Sequence, residues 1–267
     1  MKIVKFPKFL QPYYISKEKL IRVGSYDDGG YVVPISNIKE TELLISMGIS
    51  DNWDFEKHFS KVSNAKILAY DDSITLEYWI NKFKNDLIKF FKLKIFKPKK
   101  IYKMFQFIDF VFFFKNNKKN QFFLKRVGND KNHININEID HKKIKKNKKI
   151  FLKIDIEGSE YEILDQIILI KEKIEGIVIE FHNAFSNLDK IRSFLREINN
   201  KLKLVHIHAN NYSMKEFDKY PSAIELTISN VNKISCKDTD AGNLHEYPLK
   251  GLDFPNSKRS PEIKIIF

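Results

Sequence analysis

Between Phe151 and Asp165 the chain reads FLKIDIEGSEYEILD. Apolar residues alternate with Lys153, Asp155 and Glu157, and a turn signal follows at Gly158-Ser159. Tyr161, Ile163, Leu164 and Ile168 then recur on roughly one helical face. This pattern predicts a strand, a tight turn and a helix. A second apolar run, Gly176 to His182 (GIVIEFH), begins about one helix later and ends in Glu180 and His182. Strand, helix and strand at this length form the parallel crossover unit, because parallel neighbours cannot be joined by a short hairpin. An α/β fold follows. Ligands of open α/β sheets bind beyond the carboxyl ends of the strands, so Asp155, Glu157, Glu180 and His182 are expected on one rim.

Two earlier runs extend the sheet. Glu42 to Ser50 (ELLISMGIS) is apolar up to Gly48, as a buried parallel strand is, and Asp51, Asn52 and Asp54 then open a helix. Gly48 permits close approach of the backbone to a ligand. Ala65 to Tyr70 (AKILAY) is the next strand and ends in Asp71-Asp72. A carboxylate at that place can accept both protons of a ribose diol, or it can cap the helix that begins near Ser73 to Thr75. Upstream, RVGSYDDGGYVV (Arg22 to Val33) carries turn formers between strand-like flanks. It reads as a β-hairpin, or as a lid over the site with Arg22, Asp28 and Tyr31 facing a ligand.

Charge is unevenly placed. The chain of 267 residues is formally +13, and residues 82–149 hold 21 Lys/Arg against 5 Asp/Glu, or 21 − 5 = +16, leaving 13 − 16 = −3 elsewhere. Helical spacing runs from Thr75 to about Phe96, Pro98 ends it, and residues 99–124 mix aromatics with lysines. This is longer than a helix-to-strand connection needs, so an insertion is expected over about 82–125. Three readings stay open: a core helix with solvated lysines, a surface resting on anionic lipid, or a nucleic-acid groove. Phe122 to Val127 is a candidate third strand, and HKKIKKNKK (His141 to Lys149) a solvated basic connector.

Beyond His182, apolar spacing predicts a helix over Leu188 to Leu202. Strands follow at Leu204 to His208, where alternation puts His206 and His208 on one face, and at Ala223 to Ser229. The last two suit an antiparallel hairpin at the sheet edge, and Asn210 lies in the turn after the first. The tail closes on a strand-like EIKIIF. Cys236 is the single cysteine, which excludes an internal disulfide and fits a reducing compartment. The first residues, MKIVKFPKFLQPYY, lack an apolar run of signal-peptide length, and no stretch approaches the ~20 apolar residues of a membrane span. The expectation is a cytoplasmic protein of one domain over 1–267 with a lead-in over 1–40.

The segments LKIDIEGSEYEIL and IEGIVIEFH, in this order and spacing, resemble the FkbM-type S-adenosylmethionine-dependent methyltransferases, many of which methylate sugar hydroxyls. The likeness is strongest over residues 150–183 and extends more loosely from Arg22 to about Asn211. It implies a Rossmann-like, mostly parallel sheet with late antiparallel strands and helices on both faces. It also implies an S-adenosylmethionine site touched by Gly48, Asp51, Asp71, Asp72, Asp155 and Glu157. This chain departs from such folds in having one glycine in the first turn.

Methyl transfer to a hydroxyl needs alignment of sulfur, methyl and oxygen, and a group to take the proton. His182 and His208 are the candidate bases, with Asp155 and Glu180 as further catalytic candidates and Glu180 placed to orient the ring or hold a hydroxyl. Arg22, Asp28, Tyr31 and Asn210 are the candidate substrate contacts. Asp155, Glu180 and His182, with Glu157, could ligate Mg²⁺ or Mn²⁺, although no metal motif is present. The expected activity is O-methylation of a sugar or sugar nucleotide in surface polysaccharide or glycoconjugate synthesis. Its rival is an inactive relative that binds anionic membrane or nucleic acid through residues 82–149, the former as a peripheral protein at the inner face of the membrane.

Overall fold

The computed structural model describes residues 2–93, 105–115, 118–136, 138–139, 149–212, 219–230 and 245–267. In chain order the strands and helices are β1 (Lys2–Lys5), β2 (Leu20–Gly24), β3 (Gly30–Pro34), α1 (Ile35–Glu40), β4 (Leu43–Met47), α2 (Asp54–Val62), β5 (Lys66–Tyr70), α3 (Leu76–Leu93) and α4 (Gln106–Phe110). They continue with β6 (Asn120–Phe123), β7 (Ile150–Ile154), α5 (Leu164–Ile170), β8 (Ile174–His182), α6 (Leu188–Ile198), β9 (Leu202–Ala209), β10 (Ala223–Asn230) and β11 (Ile263–Ile266).

Seven strands form one sheet in the order β6-β5-β4-β7-β8-β10-β9. From β6 to β8 the neighbours are parallel, and β10 runs antiparallel to both β8 and β9. The sheet is thus mostly parallel with late antiparallel strands, as expected. β4, β7 and β10 are buried along their whole length, which is why apolar residues dominate them, interrupted by Ser46 in β4, Lys153 in β7 and Glu225 in β10. Successive strands move outward from β4 to one side and then from β7 to the other. The β4–β7 boundary is therefore the topological switch point, where a crevice opens above the strand ends.

Several boundaries differ from the sequence expectation. The third strand is Asn120–Phe123 rather than Phe122 to Val127, and α6 ends at Ile198, with Leu202 already in β9. β9 follows α6 so closely that its first apolar residue continues the helical spacing. Ser159–Glu162 form a single 3-10 turn, and α5 starts only at Leu164. The segment after Pro98 holds α4 and a π-helical turn at Val111–Lys115, with Phe110 and Phe114 buried against Trp53 and Trp79. The helix end near Phe96, Cys236 and all of the basic connector but Lys149 lie outside the described residues.

The lead-in is more than a leader. β2 and β3 form the antiparallel hairpin, and β3 packs on β10, with the Thr227 hydroxyl donating to Val32 O at 2.7 Å. β1 pairs in parallel with β11, so the first and last described strands form a second, two-stranded sheet. No described helix is long and apolar enough to cross a membrane.

Candidate active site

A cleft of about 740 Å³ lies at the carboxyl ends of β4, β5 and β7. Its floor is the turn after β4. Gly48 has φ +76°, and a Cβ there would stand 1.6 Å from the carbonyl oxygen of Asp155, so the close meeting of these two backbones requires glycine. Lys153, buried beneath, donates to Gly48 O and stands 3.8 Å from the Asp155 carboxylate. Ser50, Glu157 and Asn183 all have positive φ, and they follow β4, β7 and β8 respectively. Such backbone strain concentrates where function constrains geometry.

The two acids after β5 divide the work. One Asp71 oxygen accepts from Ile49 N at 2.9 Å and Ser50 N at 2.7 Å, and the other accepts from Ser73 N and Oγ at 2.7 and 2.6 Å. Asp71 therefore braces the glycine turn and caps the segment after β5. Asp72 is exposed on the cleft wall. Asp28, Gly48, Asp51, Asp71, Asp72, Asp155 and Glu157 all line this space, as do Lys125 and Arg126, which the sequence reading did not single out.

Behind Asp155 lies a polar cluster, buried at Glu180, Glu225, Asn210 and Asn256 and exposed at Asp28. Asp28, Glu180 and Glu225 bring carboxylate oxygens within 4.8 Å of one another. Asn256 Nδ2 donates to Asp28 at 3.0 Å and Glu225 at 2.6 Å, and Asn210 Nδ2 donates to Glu180 at 2.8 Å. Asn256 lines the cleft, and its buried Oδ1 has no hydrogen-bond partner. Burial, with the charges of Asp155, Glu225 and Asp28, holds the Glu180 carboxyl well above the usual range. Burial also raises Asp28 and Asp155, the latter against the pull of Lys153 and His182. Tyr31 is buried and donates to Asp155 Oδ2 at 3.4 Å.

His182 stands at the edge of this cluster. Its Nδ1 lies 2.9 Å from Glu160 Oε1, and its Nε2 lies 3.4 Å from Glu157 and 3.9 Å from Glu180. Glu160 is fully buried, and the same oxygen accepts from Ile156 N at 3.2 Å and Gly158 N at 3.0 Å. The turn after β7 thus fixes the carboxylate that orients the imidazole. Burial would lower the ring's pKa, but the bond to Glu160 and the charges of Glu160, Asp155 and Glu157 outweigh it and hold it above the usual value. Asp155, Glu157 and His182 present ligand atoms within 4.8 Å, a spacing that would admit a cation.

Two expectations need correction. His208 is 2% exposed, away from the cleft lining, with its ring nitrogens 3.1 Å from Glu225 and 3.3 Å from Glu262. It is a sandwiched structural ring with both nitrogens turned to carboxylates and neither facing a substrate. Arg22 spends its guanidinium on Ser25 O, Asp27 O and Leu252 O at 2.6, 2.8 and 3.3 Å, bracing the hairpin instead of facing a ligand.

Residues 113–202 match the family model of the methyltransferase FkbM domain. The match covers about a third of the chain. That segment spans β6, β7, β8 and α6, and it includes Asp155, Glu157, Glu160, Glu180 and His182. No curated protein matches the chain. Among solved structures, methyltransferase FkbM from Methylobacillus flagellatus KT is 14% identical, over 70% of this chain and 44% of that one, with a TM-score of 0.40. An rRNA methylase from Streptococcus thermophilus is 8% identical, over 73% and 90%, at 0.39. Precorrin-6y C5,15-methyltransferase from Geobacter metallireducens GS-15 is 11% identical, over 73% and 85%, at 0.36.

Glu160, Glu225 and Asn256 were missed by sequence reasoning. Glu225 had a signal, as a charge inside the apolar run AIELTIS; Glu160 sat in the turn already singled out; Asn256, in the tail, had none.

Proposed function

We propose that the chain transfers the methyl group of S-adenosylmethionine to a hydroxyl of a saccharide. The observation that carries this reading is the adjacency of the switch-point cleft, with an acid on its wall, to a cluster of carboxylates and amides edged by His182. Asp72 accepts the ribose hydroxyls, while Asp71 keeps the turn at Gly48 in shape for the methionine end. Asp51, Asp155 and Glu157 place negative charge along a cleft that must hold a sulfonium.

The acceptor sugar reaches Asp28, Glu180, Glu225, Asn210 and Asn256. Carboxylates accept from hydroxyls, amides both donate and accept, and the unpartnered Asn256 Oδ1 is one such acceptor. A polyol suits this mixture better than a planar base, which would want a stacking face. His182 Nε2 removes the hydroxyl proton as the oxygen attacks the methyl carbon in line. The carbon–sulfur bond breaks with its electron pair returning to sulfur, leaving S-adenosylhomocysteine, a methyl ether and a protonated His182.

The test is calorimetric titration with S-adenosylmethionine, together with transfer of labelled methyl to candidate sugars followed by mass spectrometry. Asp72→Ala should weaken cofactor binding about ten- to a hundredfold, the value of a hydrogen bond to a charged group. His182→Gln should keep binding and slow transfer by roughly 10²–10⁴. Cofactor binding that is absent, or unchanged in Asp72→Ala, overturns the cofactor assignment. Methylation of RNA but of no saccharide overturns the acceptor.

A further inference from the structure

α3 and α4 are apolar on two sides. Their inner sides are filled: Trp79 meets Trp53, Phe107 and Phe110, and Phe110 meets Phe114 and Phe122. Their outer sides nonetheless carry Leu76, Ile80 and Phe83, spaced i, i+4, i+7 along α3, and Phe105, Ile108 and Phe112 on α4 and the turns flanking it. These six side chains are between 46% and 71% exposed. A helix apolar on its outward face either meets a partner or leaves that surface to water at a cost, and large continuous patches of this kind mark interaction sites.

The charge around the patch narrows the partner. Among the described residues, Lys84, Lys115 and Lys118 are exposed on or just beyond these same elements. The acid on α4, Asp109, is turned inward to Trp53 Nε1 and Lys57. A second copy of the chain is a poor occupant, because a two-fold contact would set Lys84, Lys115 and Lys118 against their own copies. Nucleic acid is a poorer occupant: Phe83, Phe105 and Phe112 could stack on bases, but Leu76, Ile80 and Ile108 make up half of the patch and offer no ring. A bilayer rich in anionic lipid meets both properties, with phosphates over the lysines and the acyl boundary receiving aromatic and aliphatic side chains alike.

We propose that the face formed by α3 and α4 docks on an anionic membrane surface. The same two helices hold the lip of the cleft: Lys82 of α3 pairs with the Asp51 carboxylate, and Gln106 of α4 donates to Asp51 O. Docking would set that lip against the lipid surface. The inference does not depend on methyl transfer, since the patch and its charge stand apart from the cleft residues.

Sedimentation of the full chain with vesicles tests it. The chain should bind vesicles of phosphatidylcholine with phosphatidylglycerol, release as salt is raised, and pass over phosphatidylcholine alone. Phe83→Ser with Phe112→Ser should weaken binding at least about tenfold, and Lys84→Glu with Lys118→Glu should weaken it and its salt dependence. Thermal unfolding of each variant at the wild-type temperature shows that the fold is kept. Failure to bind the anionic vesicles, equal binding to both vesicle types, or binding indifferent to both variants overturns the proposal. So does concentration-dependent dimerisation that the phenylalanine variant abolishes, or a preference for RNA over vesicles.

Discussion

The adjacent pair Asp71-Asp72 and the pair His182 and His208 show how far single residues were legible. Strand-end position put both aspartates at the cleft, and the structure gives Asp71 four donors from the chain itself while leaving Asp72 open. That division depends on which way each side chain turns, and sequence spacing is silent about it. The histidines separate by neighbours far along the chain: Glu160 lies 22 residues from His182, while Glu262 lies 54 from His208. Glu160 supports a prediction of its own. Its carboxylate helps hold His182 above the usual imidazole range, and a general base must be deprotonated to act, so kcat/KM should rise with pH through that raised pKa. In Glu160→Gln this acid limb should move to lower pH, and the plateau should fall as the ring loses its orientation. A pH–rate profile checks it. A limb that stays in place while only stability drops would reduce Glu160 to a brace of the turn.

At the scale of elements, the parallel strands were readable because burial writes itself as apolar-rich runs in β4, β5, β7 and β8, with polar residues few inside them. The late hairpin was expected, but its orientation was not: β10 enters between β8 and β9, which sets Glu225 opposite both Glu180 and His208. This register builds the polar cluster and gives the molecule a pH-sensitive core. Burial penalises the charged His208 ring, but Glu225, Asp253 and Glu262 outweigh that and raise its pKa well above the ordinary 6.5. Asp253 is itself held by His206 at 3.1 Å, and Glu225 by Asn256 at 2.6 Å. A base with a raised folded-state pKa contributes stability that is complete below its unfolded value and is lost as pH climbs through the folded one. The urea midpoint should therefore decline as pH rises from about 6.5 into the alkaline range. His208→Gln should abolish that decline and cost about 3–5 kcal/mol at the acid end, since it leaves buried carboxylates unpaired.

Across the whole molecule, the chain's two ends are part of one structure, and this was the least legible feature. The closing EIKIIF read as strand-like with no stated partner, and residues 2–5 only as part of a lead-in, because pairing between them spans nearly the full length of the sequence. They pair with each other in parallel, from Lys2 opposite Ile263 to Lys5 opposite Ile266. Phe6 N also donates to Ile266 O at 2.7 Å, and Ile265 N to Tyr247 O at 3.1 Å. Ile263 and Ile265 are buried in the same core as Val4, Phe6, Leu10 and Ile15, on the side that carries β9. The tail leading to β11 passes the cleft on its way: Asn256 joins Asp28 to Glu225, and Asn211 ties to Ser257 O and Ser260 O at 2.9 Å each. Removing residues 263–267 takes away two buried isoleucines, at about 1.5–3 kcal/mol each, or ~3–6 kcal/mol as an upper figure. Against a typical total of about 5–15 kcal/mol, that is a large share. The truncated chain should unfold at markedly lower urea. Cofactor affinity measured well below its midpoint should fall in step, because the loosened tail no longer holds Asn256 against the Asp28 wall. Should the midpoint stay put while affinity falls, the tail would be a cover over the cleft with no part in the core; should both stay put, β11 would be dispensable and the pairing of the ends incidental to the fold.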